Sequence, residues 1–415
     1  MALADMNGQP LLRAITAEDA VIGAADRSVM RTRFAISARL TRNIEETEAV
    51  WKSLAAGPME SPGQSYEFIR LWIADRKIGP ADQAFVIGEV DGKPVALLPL
   101  HRRRMAGLTV YKWFPRSQVG AYAPVSDYEA LSELGSEGRA ALWSAMIGEL
   151  KDADCVYLRA IPEENSGHGP LFSELGTALA VETLYRSEFP SWEECDKLQR
   201  SRSRRKHDRQ QGDRLDALGQ VDFELITDPA LGLPAIDVMF RQRSARFKVQ
   251  GIRDTFVEDH LTGFYKAAML PQSGIDVRLH VLRLNGDIVA VRYNVVEGDR
   301  MFCLISSMSA DPSIQVGSPG KQCLLRVMQS VFDSGIRVFD MGSGFTDEKR
   351  HWCNVQTPVR QHYIGRTLRG RLAVSLHQRF QTLRAQAKAN PKIKDGLRHL
   401  RQFADRFSPR QAPSE

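Results

Sequence analysis

Hydrophobic and polar positions along the chain fall into two similar runs. Arg33 to Leu40 reads as a first strand, and helical spacing follows near Glu45 to Ala55 and Ser65 to Asp75. Phe85 to Val90 meets Asp91-Gly92, a strong hairpin signal, and continues as Pro94 to Leu100. A helix near Arg139 to Leu150 precedes a short apolar strand at Cys155 to Leu158. The same order returns later. Val277, Leu279 and Val281 alternate as in a half-buried strand, Asn285-Gly286 supplies a second hairpin before Ile288 to Val296, and Met301 to Ser307 forms a further strand. A loop leads to a helix at Lys321 to Phe332, whose Leu324, Leu325, Met328, Val331 and Phe332 form one apolar stripe. Arg337 to Asp340 closes the unit. The pattern Asp91-Gly92-Lys93-Pro94-Val95-Ala96 recurs as Asn285-Gly286-Asp287-Ile288-Val289-Ala290, so the chain reads as a duplication.

The expected organisation is a loose leader over 1–32, a first half over 33–190, a second half over 191–365 and a basic helical tail over 366–415. Between the halves, Trp192 to Leu218 is helical and rich in arginine, and a strand follows at Val221 to Ile226. The tail carries twelve arginines and lysines from Arg366 to Arg410 against Asp395 and Asp405, and its helices are expected to break at Asn390-Pro391.

Composition adds limits. The 415 residues exceed a single core, and 43% hydrophobic with 26% charged residues is the balance of a folded globular chain. No apolar run reaches the ~20 residues of a bilayer span. The first residues lack the basic start and apolar stretch of a secretory signal, so a cytoplasmic protein is expected. Cys155, Cys195, Cys303, Cys323 and Cys353 are scattered without a C-x-x-C pair, and His207, His280 and His351 lack ligand spacing, so no metal is expected. A formal charge of +6 fits an anionic partner.

Ser313 to Lys321, Ser-Ile-Gln-Val-Gly-Ser-Pro-Gly-Lys, lies between a strand and the amphipathic helix. Unpaired N–H groups at a helix N-terminus favour a pyrophosphate, which Gly317 and Gly320 would let approach and Lys321 would attract. It is not a Walker loop, because Gln322 follows the Gly-Lys pair. The bland alternative is a Pro/Gly turn that starts a helix.

Ser309-Ala310-Asp311-Pro312, Gly317-Ser318-Pro319-Gly320, Leu324-Leu325, Phe339-Asp340-Met341-Gly342 and Lys349-Arg350-His351-Trp352 together resemble the CelD group of acetyltransferases. That group carries a GNAT domain and is similar to the FemAB aminoacyl transferases. The resemblance runs from about residue 45 to 365 and is sharpest over 280–352. It implies a mixed α/β (α+β) fold: a duplicated GNAT-like arrangement, two mixed sheets flanked by helices, with a degenerate first half and a bulged, splayed central strand in the second. It also implies acetyl-CoA or another acyl-CoA as donor, held at Gln315, Gly317, Ser318, Gly320 and Lys321, and a polysaccharide, cell-envelope precursor or small amine as acceptor. The family's phosphate loop has its first glycine one place later than here, which leaves aminoacyl transfer RNA as the alternative donor.

Acyl transfer needs a deprotonated acceptor, a polarised carbonyl and a proton for the leaving group. In GNAT-like folds the splayed strand supplies N–H groups to the carbonyl, and Ser306 to Met308 is the expected strand end. Asp340, at a strand's carboxyl end, is either a base or the cap of the turn into Gly342-Ser343-Gly344. Lys349 and Trp352 follow at helical spacing, Lys349 as a catalytic candidate and Trp352 as an acceptor contact. Tyr363 and Tyr293 are candidate general acids. Arg202 and Arg205, in a basic run from Arg200 to Arg209, together with Arg243, are candidates to hold an anionic acceptor. A nucleic-acid or partner-binding protein without catalysis is the rival reading, although no recognised nucleic-acid motif accompanies the basic run. The tail is expected to contact an anionic membrane or a partner.

Overall fold

A computed structural model describes residues 34–389 except 116–118, 166 and 252–253. The expected leader over 1–32 and the break at Asn390-Pro391 lie outside the described residues. Among the described residues thirteen strands form one sheet: β1 Ile36–Thr41, β2 Gln83–Val90, β3 Lys93–Met105, β4 Leu108–Trp113, β5 Val125–Ser126, β6 Cys155–Pro162, β7 Thr177–Glu188, β8 Val221–Ile226, β9 Asp276–Leu284, β10 Asp287–Glu297, β11 Arg300–Met308, β12 Val338–Ser343 and β13 Val355–Gly365. Their order is β1-β2-β3-β4-β6-β13-β7-β12-β11-β10-β9-β8, with β5 beside β3.

The duplication is visible in the pairing. β1 to β4 are consecutive antiparallel neighbours and β4 then runs parallel to β6. β8 to β11 repeat this, and β11 runs parallel to β12. Each hairpin turn has two left-handed residues, Asp91 and Gly92 (φ 50° and 76°) and Asn285 and Gly286 (φ 52° and 86°). That is the demand of a tight turn matched to strand twist, and explains the shared Asx-Gly pattern.

The last strand of each half crosses over. β7, from the first half, lies against β12, and β13, from the second half, lies against β6. β7 and β13 pair with each other along most of their lengths. The two runs of strands expected as separate sheets are therefore joined into one, and the cut between residues 190 and 191 divides the sequence but not the sheet. The exchange covers the edges that β6 and β12 would otherwise expose.

Helices cover both faces of the second half. The stripe of α8 (Pro319–Asp333) buries Cys323, Leu324, Val327, Met328, Val331 and Phe332 against Leu282, Ala290 and Met301. On the other face α6 (Pro229–Gln250) packs so closely that a Cβ on Gly232 would strike Met269 and approach Leu279. Leu279 and Leu282 point oppositely because strand side chains alternate. The arginine-rich segment is two helices, α4 (Trp192–Gln199) and α5 (Arg202–Asp216), separated where Ser201 caps α5 by accepting from the Arg204 N–H. In the first half, α1 (Glu48–Leu54), α2 (Tyr66–Asp75) and α3 (Gly135–Gly148) occupy the expected segments, and α7 (Thr262–Ala268) packs its Phe264 ring 5.1 Å from Phe68 and Trp72. α9 (Asp347–Trp352) joins β12 to β13, and α10 (Leu368–Ala389) follows β13.

Candidate active site

β11 and β12 pair over three positions, Arg300 with Val338, Met301 with Phe339 and Phe302 with Asp340, and then part. Two residues beyond the last pair, β11 bulges. Tyr293 of β10 faces Ile305 and Asn294 faces Cys303, so Leu304 has no partner. An extra residue re-aims the strand and frees its backbone groups. The corresponding β3–β4 register of the first half runs unbroken from Leu100–Trp113 to Met105–Leu108. The split opens a cavity of about 150 Å³ whose walls include Leu304, Cys303, Asp340, Gly342 and Lys349. A neighbouring cavity of about 280 Å³ is reached past Ser306, Ser307 and Met308, the residues expected at the strand end.

The first half closes one wall. Gly120 and Gly342 both have φ of 77°, and a Cβ on Gly120 would sit 3.1 Å from the Gly342 Cα. Only glycine satisfies the left-handed backbone and this approach together.

Asp340 is committed at both oxygens. Oδ1 accepts from the Gly342 N–H at 2.7 Å and Oδ2 from the Arg186 Nε at 2.8 Å. Of the two roles open in the sequence, the turn cap is the one the geometry fills. Arg186, on β7, also meets Glu60 at 2.6 Å, and Glu60 lies 3.6 Å from Arg300. All four charges are buried, so this network ties β7, β11, β12 and the loop after α1 together.

Lys349 sits at the same opening. Its Nζ donates to the carbonyls of Ser343 (2.8 Å) and Gly342 (3.3 Å). Burial disfavours its charged form and holds its pKa below the ordinary lysine value, with Cys303 and Asp340 opposing the shift. Those two carbonyls hold Nζ at the edge of the cavity, beside Gly342 and Cys303.

The loop residues are occupied by packing. A Cβ on Gly317 would lie 2.8 Å from the Cβ of Leu215 on α5 and 3.0 Å from its Cα, and one on Gly320 would lie 2.7 Å from the Met308 sulfur. Gln315 donates to the Ser309 carbonyl. Ser318 accepts from Gln211 at 2.8 Å, and Lys321 donates to Gln211 at 2.9 Å and lies 3.3 Å from Asp208. The N–H groups of Lys321 and Gln322 both bond to the Ser318 carbonyl, and Pro319 has none. The α8 N-terminus therefore offers few free donors to a pyrophosphate, because its first N–H groups already bond to the Ser318 carbonyl, and Leu215 of α5 packs against Gly317.

Other expected site residues are placed elsewhere. Tyr363 is opposite Thr177 on β7, nine positions from Arg186, on the order of 30 Å along the strand. Its hydroxyl donates to Gln361 at 2.6 Å and lies 3.0 Å from His377. Tyr293 is buried, and its hydroxyl donates to the Tyr265 carbonyl. Trp352 is core, 6.0 Å from Trp192, with the Arg200 guanidinium over both rings. Arg243 lies between Phe247 and Phe256, 4.3 and 4.2 Å from their centroids. Arg205 pairs with Asp196 at 3.2 Å, and Arg202 is exposed on α5. These residues do not form one acceptor wall with Asp340 and Lys349. Conversely, Arg186, Glu60, Arg292 and Leu304 belong to the site region but carried no local motif. For Arg186 and Arg292 the sequence signal was a charge within an apolar strand, for Leu304 an extra residue in one, and Glu60 lies in a loop.

Residues 202–350 match the model of the acetyltransferase (GNAT) domain. No curated protein matches the chain. Among solved structures FemX superposes with a TM-score of 0.51 at 11% identity, over 78% of this chain and 96% of that one. The C-terminal domain (DUF2156) of a protein described as a lysylphosphatidylglycerol synthetase from Agrobacterium fabrum gives 0.49 at 14%, over 80% and 95%. A tandem GNAT protein from the clavulanic acid pathway gives 0.39 at 10%, over 81% and 100%. Residues 202–350 are thus similar to a GNAT acetyltransferase domain, and the chain shares a mixed α/β fold with FemX; nothing in these matches points to the CelD group.

Proposed function

We propose that the protein is an acyltransferase that moves an acyl group from a thioester donor, acetyl-CoA or another acyl-CoA, to an amine or hydroxyl in the opening between β11 and β12. The observation that carries this reading is the bulge at Leu304, which leaves that residue without a β10 partner just beyond the point where β11 and β12 part, beside a cavity lined by Leu304 and Lys349. In this reading the backbone N–H groups freed there polarise the donor carbonyl. Lys349 takes the proton as the acceptor heteroatom bonds to the acyl carbon, and returns it to the departing thiolate as the carbon–sulfur bond breaks. Arg186 and Asp340 position the strands. The resemblance to the CelD group adds a polysaccharide or cell-envelope precursor as acceptor.

A second donor is favoured by one observation. Leu215 against Gly317, with Lys321 held by Asp208 and Gln211, fills the approach a CoA pyrophosphate would use, which supports aminoacyl transfer RNA instead. The thermal midpoint with each donor decides, since a ligand of the native state raises it with concentration. Acetyl-CoA is expected to raise the midpoint of the wild type but not of Ser306→Trp, which fills the opening. A shift with aminoacyl transfer RNA alone selects the second donor, and no shift with either overturns the transferase reading.

The face of α10 directed away from the sheet supports docking on an anionic membrane. Leu368, Leu372, Leu376, Phe380 and Leu383 are 57–82% exposed along it. The helix carries Arg369, Arg371, Arg379, Arg384 and Lys388 and no acidic residue.

A further inference from the structure

Arg292, on β10, is 5% exposed, yet none of its contacts is short. Its Nη2 lies 3.4 Å from the Gly320 carbonyl and 3.4 Å from Glu348, its Nη1 lies 3.8 Å from the Cys303 sulfur, and its Nε has no partner. Charge-assisted bonds of a guanidinium are normally about 2.7–2.9 Å. Arg186, equally buried, reaches 2.6 and 2.8 Å. A buried charge without close partners is costly, so one tolerated here is kept for a partner that arrives.

Its surroundings show where that partner enters. Arg292, Arg246, Ser306 and Gly320, the last in the first turn of α8, border the cavity of about 280 Å³, which Asp347 and Glu348 of α9 also line. That volume is slightly below the roughly 300–1,000 Å³ of pockets that take a whole ligand, so it suits one group of a larger molecule. The Glu348 side chain is 42% exposed and can swing into solvent.

We infer that this pocket binds a carboxylate or phosphate group on Arg292, and that Glu348 occupies the place of that group until a ligand displaces it. The inference rests on the acyl-transfer reading only in assigning the group to a ligand that enters the β11–β12 opening. Glu348 is then an internal competitor: removing its charge tightens binding, and removing Arg292 abolishes it.

The test uses the full chain without acyl donor, at constant ionic strength, with inorganic phosphate, pyrophosphate and acetate titrated against the thermal midpoint. At least one anion is expected to raise the wild-type midpoint. Phosphate or pyrophosphate acting alone identifies a phosphoryl source, and acetate acting identifies a carboxylate. Glu348→Gln should lower the apparent dissociation constant by about threefold, the scale of a partly exposed ion pair. Glu193→Gln, the same charge change on α4, should leave it unchanged, and Arg292→Met should lose the response. The inference fails if no anion acts on either the wild type or Glu348→Gln. It also fails if the two glutamine variants tighten binding equally, a comparison that stands even where Arg292→Met does not fold. Because no acyl donor is present, an inert acetyl-CoA would overturn the donor assignment and leave this result standing.

Discussion

Replacing Arg186 by methionine tests whether Asp340 is a structural group. Arg186 meets Glu60 at 2.6 Å and Asp340 at 2.8 Å with all three side chains buried. Methionine keeps much of the stem's volume but removes the charge, so Asp340 retains the Gly342 N–H and loses its cation. Breaking a buried pair from one side costs about 3–5 kcal/mol, because the remaining charge is desolvated without compensation. Domains of 150–250 residues lose about 2–4 °C per kcal/mol, and this body is larger, so the low end applies and the midpoint should fall by roughly 6–10 °C. Differential scanning calorimetry of the wild type, Arg186→Met, Asp340→Asn and the double variant closes a cycle. The double variant should be less destabilised than the sum of the single ones, since Asp340→Asn removes a stranded charge. A midpoint for Arg186→Met within about 1 °C of wild type would refute the reasoning, and so would an Asp340→Asn protein of normal stability that has lost all turnover.

Three further outcomes are expected. Lys349→Met should fold and lose about 10²–10⁴-fold in transfer rate; the wild-type kcat/KM should rise with pH through a pKa below the ordinary lysine value of about 10.4, a limb the variant lacks. Between those two values the unfolded chain binds more protons than the native one, so wild-type stability also rises with pH there, and urea midpoints of Lys349→Met should not show that rise. Gly317→Ala should cost about 1–3 kcal/mol by overpacking against Leu215; unchanged stability with weakened acetyl-CoA binding would mean that the loop serves a ligand. Leu376→Glu with Phe380→Glu should abolish co-sedimentation with vesicles of anionic lipid, and equal binding to neutral vesicles would contradict the charge argument for α10.

Where local chemistry sets structure, the sequence determined the result. Both hairpins follow from Asx-Gly pairs that take left-handed backbone. α8 follows from its apolar stripe, and the duplicated order from the repetition of these signals. β7 and β13 were missed for equally local reasons: Thr177–Glu188 does not alternate cleanly and holds the buried Arg186, and Val355–Gly365 contains Pro358, a poor residue for a central strand. Pro358 is tolerated because pairing with β6 begins only at Val359.

At the site, the sequence singled out Lys349 and Asp340, and tertiary structure decided which groups each one touches. Asp340 caps a turn because Arg186 arrives from the other half, and Trp352 is core because Trp192 and Arg200 meet it. Gly317 faces Leu215, which lies about a hundred residues earlier in the chain. Periodicity and turn chemistry act over a few residues and are written in order along the sequence. Desolvation, ion pairing and the exchange of β7 and β13 depend on residues brought together across the sheet, and only the folded chain fixes which ones meet.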